Sequence, residues 1–158
     1  MTFACLAVLE DEAAQLYEIM VNKSEDPQVS LLLDEILQET RTHRELMKHV
    51  SKITKQPTNP PVAECERRMG TLFAHSIEFI HSIKNQVLNG MPIAVAAAKL
   101  MKFEEEAASE EDLTQLYVNV KAAVNIETSI KHILAGIAED ERNHVTALKL
   151  VVQMSDKK

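Results

Sequence analysis

The chain has 158 residues, a formal net charge of −7, no Trp, and only 3 Gly and 5 Pro. That is one domain's length, and the acidic balance excludes nucleic acid and anionic membrane surfaces as partners. Abundant helix formers and 4% aromatics predict an all-α protein, and no stretch reaches the roughly 20 apolar residues of a membrane span.

Four breaks divide the chain: Pro27 after "KSED", "KQPTNPP" at 55–61, "NGMP" at 89–92 and "VNIETS" at 124–129. They leave predicted helices at 2–22, 28–54, 62–89, 92–124 and 128–154, in a single domain 1–158. The opening "MTFACLAVLEDE" is apolar but short and lacks a basic n-region, so it is expected to be a helix of the mature protein. Within it Phe3, Leu6, Ala13, Tyr17 and Met20 form an apolar seam, and Glu10 falls in that seam. The second segment repeats the anomaly. Val29, Leu33, Ile36, Met47 and Val50 make its seam, interrupted by Thr40 and His43.

The third segment, 62–89, contains "HSIEFIH", but its apolar stripe runs through Met69, Phe73, Ile80, Ile83 and Val87. His75, Glu78, His81 and Asn85 fall on the opposite stripe and are expected in solvent. In the fourth segment "FEEEAA" at 103–108 echoes "LEDEAA" at 9–14, which places Glu104 where Glu10 stands. Glu110 is the alternative, with Tyr117 seven residues on. Six residues separate the two acids, about 240° of rotation, so only one can share a face with the seam. The fifth segment steps through Ile130, Leu134, Ile137, Glu141, His144, Leu148 and Val151. Its "DERNHVTALKLV" at 140–151 echoes "ETRTHRELMKHV" at 39–50. Two hairpins related in this way, 2–54 and 92–154, predict a four-helix bundle with 62–89 as a helical crossover.

An unpartnered buried carboxylate costs several kcal/mol, so these intrusions need compensation. In an antiparallel hairpin, residues equidistant from the turn lie side by side. The midpoint of Glu10 and His43 falls on "SEDP", and that of Glu104 and His144 on the 124–129 break. Carboxylates and imidazoles therefore converge near mid-bundle. Glu and His at i, i+3 share a helix face, and oxygen donors with a few imidazoles suit iron or manganese. Cys5 and Cys65, far apart in sequence, have no metal or redox spacing and point to a reducing, cytoplasmic compartment.

The pattern resembles the rubrerythrin branch of the ferritin-like di-iron proteins, in which each hairpin carries a Glu on its first helix and Glu-x-x-His on its second. "LEDEAAQLY" is similar to the family's first-helix motif through Glu10, Ala13 and Tyr17, and "EDERNH" to the second through Glu141 and His144. The resemblance implies two irons per chain, with Glu10 and Glu104 as terminal ligands and Glu141 as a bridging one. It implies His43 and His144 as imidazole ligands, and Tyr17 as hydrogen-bond donor to a ligand carboxylate. It further implies chemistry on peroxide, oxygen or ferrous iron. The chain departs from the motif at Thr40, where the family has a carboxylate; adjacent Glu39, at i, i+4 to His43, is the candidate replacement. No paired Cys-x-x-Cys is present, so a redox role requires a separate electron donor. The apolar area left on the crossover predicts a homodimer. Two further expectations compete with the redox one: an iron-handling protein, and a non-enzymatic helical scaffold whose metal site is incomplete.

Overall fold

The computed structural model describes residues 2–107 and 128–155. These are helical, with no strand among them, as composition predicts. The helices are α1 (Thr2–Lys23), α2 (Pro27–Ile53), α3 (Val62–Met69), α4 (Thr71–Leu88), α5 (Ile93–Ala107) and α6 (Thr128–Ser155). The chain divides into two compact units, Met1–Pro92 and Ile93–Lys158.

In the first unit α1 and α2 form a tight hairpin. Asp26 caps α2: its Oδ1 accepts from the Gln28 and Val29 amides at 2.9 and 3.4 Å. Pro27 occupies the first turn, where its missing N–H is no loss. The ion pairs Glu18–Arg41 and Asp11–Arg44 run in opposite senses along the two helices, as an antiparallel pair requires. The hydrogen bond from Lys48, then that from Arg44, holds the Glu45 carboxyl below its ordinary pKa. Its contribution to stability is therefore present at neutral pH and lost as pH falls through the carboxylate range. We expect Asp26→Ala to cost about 1 kcal/mol and Asp26→Asn much less, read from the denaturant midpoint. Equal midpoints for wild type and Asp26→Ala would remove the cap from the account.

All seven predicted seam positions of α2, Val29, Leu33, Ile36, Thr40, His43, Met47 and Val50, are buried. Helix α1 buries Phe3, Tyr17 and Met20 of its predicted stripe but leaves Leu6 and Ala13 partly exposed, and it buries Cys5 and Leu16 outside the stripe, because it packs against α3 and α4 as well as α2. Cys5, Cys65, Phe73 and Ile77 form a second small core, with Val8, Leu9, Val62 and Met69 against it. There the structure corrects the sequence reading of the cysteines. Cys5 and Cys65 are not separate thiols but a disulfide, Cα–Cα 5.4 Å, closing a sequence separation of 60 residues. A pairing of this kind persists in oxidising surroundings.

The predicted crossover helix 62–89 is also interrupted. Gly70 takes φ 80°, ψ −159°, ending α3 and starting α4. Only glycine adopts that region readily, so the break is a backbone matter. Helix α4 buries Phe73, Ile77, Ile80, Ile83 and Val87 and leaves His75, Glu78, His81 and Asn85 exposed, as predicted.

In the second unit α5 and α6 pack against each other. Ala96, Ala97 and Leu100 supply the buried side of α5, and Ile130, Ile137, His144, Leu148 and Val151 that of α6. Two alanines in succession on α5 permit a close approach of the backbones. The predicted extension of the fourth helix to 124, with Glu110 and Tyr117, lies outside the described residues. Among the described residues no helix is long and apolar enough to cross a membrane.

Candidate metal centre

Each unit carries its own carboxylate–imidazole set. In the first, the short turn puts Glu10 of α1 opposite His43 of α2. His43 Nδ1 stands 3.9 Å from Glu10 Oε1, with side-chain exposures of 1% and 18%. That is too long for a hydrogen bond. Two ligands at about 2.1 Å from one ion lie roughly 3.0–4.2 Å apart, so the spacing fits a shared ion.

Thr40, one turn before His43, is 2% exposed, and its hydroxyl donates to the Ile36 carbonyl at 2.8 Å. The position that departs from the di-iron motif is thus a buried hydroxyl whose proton is satisfied by its own helix. Glu39 is partly buried beside it. Among the described residues Glu39 joins no group of three or more Asp, Glu, His or Cys whose ligand atoms lie within 4.8 Å of one another. Tyr17 is 3% exposed. It stands seven residues after Glu10 on α1, two turns along the same face.

The second unit assembles the fuller set. Glu104 of α5 joins Glu141 and His144 of α6, with one ligand atom from each within 4.8 Å of the others. His144 Nδ1 lies 3.5 Å from Glu141 Oε2, again within the span of two ligands on one ion. The i, i+3 spacing on α6 brings those two together. His144 is held at 2% exposure by its seam neighbours, and Glu141 is partly exposed. Two carboxylates and one imidazole, without thiolate, form a donor set suited to iron or manganese. The structure therefore brings together Glu10 with His43, and Glu104 with Glu141 and His144.

The second Glu-x-x-His, at Glu78 and His81, takes no part. His81 is 46% exposed on its side chain and its Nε2 meets Glu12 Oε2 at 2.9 Å. Lys84 donates to the same Glu12 oxygen at 3.2 Å. Sequence reasoning passed over Glu12, whose role is to join α1 to α4. It also passed over the Cys5–Cys65 bond, although Val62, Cys65 and Met69 share one helical stripe and marked Cys65 as inward. Comparison with family models, with curated proteins and with solved structures finds no match to this chain.

Proposed function

We propose that the chain is a metal-binding redox protein of the di-iron-carboxylate kind, acting on peroxide, oxygen or ferrous iron. The reading carries with it a ferritin-like four-helix bundle built from the two hairpins. It rests above all on the Glu104–Glu141–His144 cluster, whose ligand atoms lie within 4.8 Å. Two carboxylates and an imidazole at that spacing can share one ion.

Bound iron would supply one-electron exchange between its ferrous and ferric forms. The chain's own part is to hold and tune it. Glu104 and Glu141 would bring two negative charges to offset a divalent ion beside the buried His144. His144 and His43 would coordinate it as neutral imidazoles, each kept in place by its buried seam. Glu10 completes the first hairpin's pair, and Tyr17 orients a ligand carboxylate by hydrogen bonding to it. Both cysteines are committed to the disulfide, so no described residue offers a thiolate for an iron–sulfur relay. On the peroxide reading the electrons would come from a donor outside the described residues.

A second reading has its own support. Thr40 leaves the first hairpin one carboxylate short, which favours an iron-handling or scaffold protein with a weak second site. Elemental analysis of protein purified without chelators separates the readings. Two ions per chain support the redox centre and none leaves a scaffold; a single ion is ambiguous by count alone and is located by whether His43→Ala or His144→Ala empties it. In the same assay Thr40→Glu should raise occupancy towards two, since it restores the missing charge. If Glu39→Ala alone empties the second position, Glu39 is the replacement ligand and Thr40→Glu adds nothing.

A further inference from the structure

We infer that the Cys5–Cys65 disulfide is a redox latch: it holds α3 against α1, and its reduction releases α3 as a strap. Both sulfur-bearing residues are 0% exposed in the small core with Phe73 and Ile77. Cys65 is the buried residue of α3, flanked on the same stripe by Val62 and Met69, which pack against the small core only in part. An eight-residue helix is marginal by itself. Its N-cap, Pro61, gives it no side-chain cap bond. The side-chain bonds of its arginines, Arg67 to the Ala63 carbonyl and Arg68 to Glu64, close on α3 itself.

Irregular backbone flanks α3 on both sides. Before it, residues 54–61 form an irregular connection in which Lys55 takes φ 55°. After it, Gly70 takes φ 80°, with nothing within 4 Å of the place a Cβ would occupy. With the sulfurs buried, an external dithiol reaches them only when α3 swings outward, so local opening gates reduction. The exchange is balanced: two electrons and two protons pass to the protein, the S–S bond becomes two thiols, and the external dithiol closes into its own disulfide.

The other end of the latch is on α1, where Cys5 precedes Glu10 by five residues, about 7.5 Å along the helix. Release of α3 thus uncovers Cys5, Val8 and Leu9 on the helix that carries the first carboxylate. The latch does not depend on the metal reading, and its test uses metal-free protein.

The intact protein is reduced with dithiothreitol under native conditions, the gain of two thiols is verified by mass after alkylation, and amide hydrogen exchange is followed. We expect amides of 62–69 to exchange at least tenfold faster after reduction, with α6 unchanged. Cys65→Ala should reproduce the acceleration in the absence of reductant; if that variant does not fold, in-place reduction of the wild type decides. Full reduction with unaltered exchange over 62–69 would overturn the latch. So would finding two free thiols in protein purified in air without reductant.

Discussion

Replacing His144 by alanine is expected to lower the metal retained per chain at least tenfold, while His81→Ala leaves it unchanged. Both histidines end a Glu-x-x-His, so local sequence does not distinguish them. Their surroundings do. His144 is 2% exposed, 3.5 Å from Glu141, and shares its cluster with Glu104. The His81 side chain is 46% exposed and already engaged by Glu12. Groups that merely support a metal ligand cost 10–100-fold in affinity when removed, and a ligand should cost no less. Retained metal after desalting, with ferrous or manganous ion supplied, measures the effect. Thermal melting adds a second readout, because an ion bound only to the native state raises its stability by mass action. Equal losses from the two variants would place the site on the wrong stripe, and no loss from either would leave His144 a buried polar residue without that role.

The second large effect concerns stability. The double variant Cys5→Ala, Cys65→Ala is expected to lose about 4 kcal/mol relative to the oxidised wild type, the chain-entropy value for closing a loop of roughly 60 residues. Alanine is preferred to serine because a hydroxyl in the Phe73–Ile77 core would need a partner. The loss belongs to the unit Met1–Pro92, where the bond closes. It should appear as a lower denaturant midpoint for probes on α1 to α4. Coincident midpoints for the variant and the oxidised protein would mean that the small core holds α3 without help from sulfur. The same measurement on the reduced wild type checks that alanine itself adds nothing.

Where a single helical face decides burial, the fold was legible beforehand. The α2 stripe is the clearest example: every predicted position is buried, Thr40 and His43 included, because the helical period holds over about six turns. The same logic found His144 and dismissed His81. Helix α1 was read less well. Its predicted stripe describes the side towards α2, but Cys5, Val8 and Leu9 belong to a second side that packs towards α3 and α4. No periodicity argument sees two buried faces on one helix when small residues fill the gaps between them. Gly70 was hidden for a different reason. One glycine within a helical pattern is usually tolerated, and only the positive φ it adopts ends the helix. The disulfide needs knowledge of which helices meet, since its partners are remote along the chain. Thr40 stood out as a missing carboxylate; that its hydroxyl is used by Ile36 is a fact of geometry.

The three-residue connection between Lys23 and Pro27 also says where the chain will accept added length. One residue inserted there, if it is not extruded as a bulge, rotates α2 by about 100° against α1. Thr42 would then stand where His43 faces Glu10. The connection 54–61 follows the hairpin and sets no such phase. A reporter peptide placed between Gln56 and Asn59 should leave the Glu10–His43 pair in register, whereas a single residue added at Glu25 and taken up into α2 should abolish it. Length variation in this protein is thus confined by a hairpin tip rather than by its core.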